Sequence, residues 1–275
     1  MTPSEFIERW RPSGASERSN YQLFLSELCD VLGVGHPDPA GADTQLNKYV
    51  FERRVDYPTA AKRDHGFIDL YRQGHFVLEA KQGSDEPVPS EAEELGVHDP
   101  QRSRGTARRG GREWERAMTK AKNQAYRYAR ALPDEEGWPP FLIVVDVGYC
   151  IDLYSDFARQ GKNYVPFPDQ ESYRIELEDL KREEVRDQLR RVFTDPLSLD
   201  PTRKATAVTK DLAGKLADVA ASLEGDGHSS DEVAGFLMRC LFTMFAEDIG
   251  LLPERSFTGL LEDYRGRLDA FPKAL

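Results

Sequence analysis

The sequence predicts an α/β fold, a mixed sheet flanked by helices, with an all-helical segment behind it. Three observations carry this. GFIDLY and HFVLEAK are two short β-rich runs separated by Arg72, Gln73 and Gly74, which reads as a hairpin. FLIVVDV, from Phe141, is a near-continuous apolar run suited to the centre of a sheet. From Ala207 onward the strand alternation is gone and only helical periodicity remains.

The elements follow in order. Ser16 to Leu32 reads as a helix, with Tyr21, Phe24, Leu25, Leu28 and Leu32 on one face, and Gly33 and Gly35 ending it. KYVFERRVD, residues 48 to 56, alternates partly and suggests a strand before the hairpin. Residues 83 to 111 are rich in Gly, Ser, Pro and charge and read as a long exposed loop. Trp114, Ala117, Met118, Ala121, Ala125, Tyr128, Ala129 and Leu132 then repeat at three- and four-residue steps, an amphipathic helix whose other face is basic. After FLIVVDV, Gly148 and Tyr149 turn the chain into the strand CIDLYS, and residues 173 to 193 form a connection with a charged helix. Ser229 and Glu232 make a capping box ahead of a wide apolar stripe, Val233 to Ile249, stopped by Gly250. The boundary falls at DPLSLDPTRK, giving domains of 1–195 and 196–275.

Composition narrows the class. The chain has 275 residues, 39% of them hydrophobic, enough for a packed core. No apolar run reaches the roughly 18 residues that span a bilayer, the first residues lack a secretory h-region, and three distant cysteines offer neither disulfide framework nor zinc spacing. A reducing cytoplasm fits. A net charge of −11 argues against wholesale nucleic-acid binding, but the charge is uneven. Asp85 to Asp99 holds six acids and no Lys or Arg, whereas Arg102 to Arg130 holds ten Lys or Arg against two acids.

The chemistry concentrates in FIDLYRQGHFVLEAKQG. Glu79 and Lys81, two apart in a strand, point the same way. A three-residue loop or a bulge at Gly74 opposes Asp69 to Glu79, and all three polar groups converge; a two-residue loop would oppose Asp69 to Leu78 and scatter them. Two carboxylates offer hard oxygen ligands for Mg²⁺, with the carbonyl of Ala80 as a further ligand. Lys81 brings positive charge beside an attacking water or a scissile phosphate. The plainer alternative is a surface ion pair on an amphipathic hairpin. The apolar flanks, Phe67, Ile68, Leu70, Phe76, Val77 and Leu78, weigh against it, because charges set among buried neighbours are costly unless paired or metal-bound. Further candidates are Glu17 or Glu27 on the first helix, as an added ligand of the same metal, and Gln124 and Tyr128, one turn apart at the edge of the basic helix, to orient the site or contact phosphate. Arg108, Arg109 and Arg112, with Lys120 on the basic helix, are candidate phosphate contacts. His65 reads as structural.

FIERWRPSGASERSNYQLFLSELCDVLG, IDLYRQGHFVLEAKQG, KNQAYRYARAL and FLMRCLFTMFAEDIGLLP, in this order along nearly the whole chain, resemble the MmeI-like enzymes, which are fused type II restriction-modification proteins with cousins among methyltransferases of phage-defence islands. The resemblance implies an N-terminal PD-(D/E)XK nuclease acting on double-stranded DNA, its motif matched by Asp69, Glu79 and Lys81, and a helical spacer after it. It also implies an S-adenosylmethionine-dependent adenine methyltransferase and a target-recognition domain further on. No Asn-Pro-Pro-aromatic motif and no glycine-rich cofactor loop occur here, so these residues read as a nuclease module with an incomplete spacer. Two other readings stand beside it: a non-catalytic DNA-binding or docking module for a methyltransferase, and the same chemistry on RNA.

Overall fold

The computed structural model describes residues 1–12, 17–43, 46–57, 64–83, 108–158 and 163–264. The acidic run and most of the Arg-rich loop before Arg108 lie outside them. Contacts divide the chain into two units, Met1–Pro201 and Thr202–Leu275.

The first unit is built on a mixed seven-stranded sheet in the order β1-β2-β3-β4-β5-β6, with β7 also paired to β5. The strands are β1 (Tyr49–Tyr57), β2 (Asp64–Arg72), β3 (Phe76–Lys81), β4 (Phe141–Asp146), β5 (Cys150–Ser155), β6 (Val165–Pro166) and β7 (Arg174–Glu176). β2 and β3 form the expected hairpin, joined by Gln73, Gly74 and His75 with Gly74 at φ +70°. Among the described strands one pairing is parallel, β3 with β4, from Phe76↔Phe141 to Lys81↔Asp146. Such a pairing requires a crossover, and helix α3 (Arg112–Ala131) supplies it.

Helices cover both faces. On one side α1 (Pro3–Trp10), α2 (Glu17–Leu32) and α4 (Glu183–Thr194) bury Phe6, Phe24, Leu28, Leu189 and Phe193 with Leu70, Leu78, Ile143 and Val145 of the sheet. On the other, α3 buries Trp114, Met118, Ala121, Ala125 and Tyr128 with Tyr71, Val77, Leu142 and Val144. The even and odd positions of β3 and β4 go to opposite cores, which is why FLIVVDV is apolar throughout. Helix α1 was not foreseen. Its start is set by Thr2, whose hydroxyl accepts from the Glu5 N–H while Glu5 accepts from the Thr2 N–H, and by Pro3 in the first turn. The short strands β6 and β7 also escaped notice, because two- and three-residue segments carry no periodicity.

The second unit holds α5 (Pro201–Gly225) from its second residue on, α6 (Ser230–Asp248) and α7 (Ser256–Tyr264). The capping box of α6 is formed, with Ser229 Oγ accepting from the Glu232 N–H. The wide stripe of α6 is only partly covered. Val233 and Ala246 are buried, while Met238, Phe242 and Phe245 are 71%, 69% and 59% exposed. No helix among the described residues is long and apolar enough to cross a membrane.

Candidate active site

The hairpin register decides whether the polar triplet converges. Leu70 pairs with Leu78, Tyr71 with Val77 and Arg72 with Phe76, a register that runs toward Asp69 and Glu79 and ends one step short of them. The ladder stops there, while β3 stays paired to β4 as far as Lys81. In the fork between β2 and β3 the Asp69 carboxylate takes the place of a main-chain acceptor: its Oδ2 accepts from the Ala80 N–H at 2.6 Å. Asp69 is therefore held by the backbone of the residue between Glu79 and Lys81.

Glu79 is 1% exposed. A carboxylate so deep needs a counter-charge, and Lys81 supplies it. Its ammonium donates to Glu79 Oε1 at 2.7 Å and to the Ala80 carbonyl at 2.8 Å. The two oxygens expected beside Asp69 as cation ligands thus already share a cation, the side chain's own. Among the described residues no three Asp, Glu, His or Cys side chains are grouped to enclose a metal by themselves. The donor set is two carboxylates and a carbonyl, all hard oxygen. That suits Mg²⁺, which keeps several waters and binds through few protein oxygens.

Helix α3 reaches this face at its C-terminal half. Gln124 Nε2 donates to the Tyr128 hydroxyl at 2.9 Å. Burial, then the negative charges of Glu79 and Asp69, push the Tyr128 hydroxyl up to about 12, so it remains a proton donor at neutral pH. Its ring stacks on Tyr57 with centroids 6.3 Å apart. Gly66 makes room for this stack: a Cβ there would stand 2.4 Å from Tyr128 Cε1 and 2.9 Å from the Tyr57 hydroxyl.

Sequence reasoning missed a neighbour of the triplet. Phe51 pairs with Leu70 and Arg53 with Ile68, which sets Glu52 opposite Asp69 on the other side of β2. Glu52 has φ +52°, uncommon for a residue with a side chain. Tyr21 of α2 donates to Glu52 Oε1, and burial, that hydrogen bond and the charges of Glu52 and Asp69 raise the Tyr21 hydroxyl well above its usual range. The signal was the imperfect alternation of KYVFERRVD, broken at Glu52.

The other candidates are placed as follows. Glu17 begins α2, and its side chain lies outside the described residues. Glu27 is turned to α1, accepting from Trp10 Nε1 at 2.8 Å and pairing with Arg9 at 3.1 Å. Arg109 is inside the protein rather than on a surface open to phosphate. It donates to the Val147 carbonyl at 2.8 Å, pairs with Asp146 at 3.2 Å and lies over the Tyr149 ring. Asp146 also accepts from Trp114 Nε1 at 2.6 Å and from the Gly83 N–H at 3.0 Å, tying the end of β3 to β4 and α3. Arg108, Arg112 and Lys120 are exposed. His65 packs edge-on against Phe67.

Comparison with known proteins bears on the identity of this arrangement. Residues 1–226 match the model of the MmeI N-terminal domain, and residues 231–275 match that of the MmeI helicase spacer domain. No curated protein and no solved structure matches the chain. The two matches run in the order expected from the sequence resemblance and span the hairpin and the helices behind it, so the chain belongs to the MmeI family and is a module of a restriction-modification enzyme.

Proposed function

We propose that the first unit is a PD-(D/E)XK endonuclease that hydrolyses phosphodiester bonds of duplex DNA with Mg²⁺. The observation that carries this reading is the Lys81 ammonium clamped between Glu79 Oε1 and the Ala80 carbonyl, with Asp69 bonded to the intervening N–H. Three charged groups and one carbonyl are thereby locked on a single fork of the sheet, and a lone surface ion pair requires no such arrangement. Asp69, Glu79 and the Ala80 carbonyl would hold the cation, which supplies Lewis acidity at the phosphate and a more acidic water.

The chain's own groups divide the remaining work. Lys81 has donors and no acceptor, so it serves the phosphate rather than the metal. Its positive charge faces the oxygens that gain negative charge as the phosphorus becomes five-coordinate. Asp69 fixes the Glu79–Ala80 peptide, which joins the buried carboxylate to the residue whose carbonyl would face the cation. Tyr128, protonated and oriented by Gln124, offers a second donor to a phosphate oxygen. S-adenosylmethionine-dependent methylation and target recognition are assigned to no residue of this chain.

A second reading is a non-catalytic docking module for a methyltransferase. It is favoured by the fact that Lys81 already neutralises Glu79, which leaves the pair self-sufficient. Calorimetric titration with Mn²⁺ separates the two. The nuclease reading expects one site, lost in Asp69→Asn, whose fold is preserved because the amide still accepts from the Ala80 N–H. Heats equal for the two proteins, or none above dilution, favour the docking module.

A further inference from the structure

We propose that Lys120 and Arg127 of α3 form a track for the DNA backbone, gripping phosphates on either side of the one that enters the Asp69–Glu79 site. The proposal rests on the nuclease reading for its partner. Lys120, Gln124 and Arg127 are spaced i, i+4, i+7, so they share one face of the helix, and Tyr128 follows directly after Arg127. Gln124, between the two bases, is the residue that holds the Tyr128 hydroxyl, and the Tyr128 ring lies against Gly66 of β2, the strand that carries Asp69. The bases therefore lie about one turn before and one turn after the contact to the site, about 10.5 Å apart along the axis.

Like the exposed Arg108, Arg112 and Arg130, Lys120 and Arg127 differ from many bases of this unit in having no ion pair with a described carboxylate. Arg54, Arg116, Arg182, Arg186, Arg190 and Arg191 of the same unit each hold a carboxylate. Lys120 and Arg127 are exposed, and among the described residues no carboxylate lies within ion-pair distance of either. In a chain of net charge −11 the general field repels a polyanion. Local cations without acid partners, beside the candidate site, are what a DNA strand needs in order to approach it. The ligand is the phosphodiester backbone, read without regard to base.

The salt dependence of binding tests this. Fluorescence anisotropy of a labelled 20-base-pair duplex, in EDTA so that no cleavage intervenes, gives log K against log salt for the chain. Each phosphate contact contributes about 0.9 to the slope. Lys120→Gln and Arg127→Gln should each flatten the slope by about 0.9, the double substitution by about 1.8, with equal loss on unrelated sequences. Arg191→Gln, which removes a paired arginine, should leave the slope unchanged. Unchanged slopes in the Lys120 and Arg127 variants, or no binding of duplex by the unsubstituted chain, overturn the track. Metal-dependent cleavage, assayed separately, decides the nuclease reading: binding with flattened slopes but no cleavage upholds the track without it, and cleavage with unaltered slopes does the reverse.

Discussion

Gly66→Ala turns the packing at the candidate site into a measurable strain. The new Cβ would stand 2.4 Å from Tyr128 Cε1 and 2.9 Å from the Tyr57 hydroxyl. Ordinary carbon–carbon contact is about 3.5–4.0 Å, so the Tyr128 ring must retreat by about 1 Å or more. It cannot simply rotate aside, because Tyr57 stacks on it and Gln124 holds its hydroxyl. Overpacking of this kind costs about 1–3 kcal/mol. In a unit of this size each kcal/mol lowers Tm by about 2–4 °C, and a shift of about 1 Å in a positioning group lowers cleavage by on the order of 10²-fold. Thermal melting and plasmid cleavage are read on the same protein. The double variant Gly66→Ala/Tyr128→Ala is the control: with the ring gone only the milder contact with the Tyr57 hydroxyl remains, and Tyr57 can shift into the vacated space, so the added methyl should cost much less and the two effects must be strongly non-additive. Additive losses, or a Gly66→Ala protein that melts and cleaves like the unsubstituted chain, refute the reasoning.

Lys81→Ala should lower cleavage by on the order of 10²-fold or more while raising Mn²⁺ affinity in calorimetry, because it removes the ammonium that shares Glu79 Oε1 and the Ala80 carbonyl. Asp146→Ala leaves the Arg109 guanidinium buried without its carboxylate and should cost about 3–5 kcal/mol in urea denaturation. Tyr128 is expected to affect alkaline stability. Its folded value, about 12, lies above the unfolded value of about 10, so its contribution is present below pH 10 and lost as pH rises to 12. Tyr128→Phe should therefore weaken less steeply than the unsubstituted chain over that window, as urea midpoints against pH will show.

The sequence was informative where burial and periodicity agree. The hairpin, the central strand FLIVVDV, helix α3 and the capping box of α6 each announced themselves by spacing, whereas the sequence left the loop length around Gly74 open and the register of β2 with β3 decides for three residues. What stayed hidden depends on distant partners. Asp146 looks like any acid at a strand end, and nothing local says that it receives Trp114, Arg109 and Gly83. Arg109 sits in a basic run and reads as surface charge, yet its guanidinium is buried against β4. Glu52 is opposite Asp69 only because β1 pairs with β2 in one register, which the partial alternation of KYVFERRVD could not specify. Glu27 lay beside an apolar stripe and suited a metal ligand equally well until Trp10 and Arg9 of the unforeseen helix α1 claimed it.

Cleavage of supercoiled plasmid in Mg²⁺ tests the central claim most directly, with Glu79→Gln as the matched control, since the amide keeps the size of the side chain and removes the charge that Lys81 and a cation would share. The account predicts nicked and linear product from the unsubstituted protein, none in EDTA, and none from Glu79→Gln at the same Mg²⁺ concentration. Equal cleavage by Glu79→Gln, or product that forms as readily in EDTA, would contradict it.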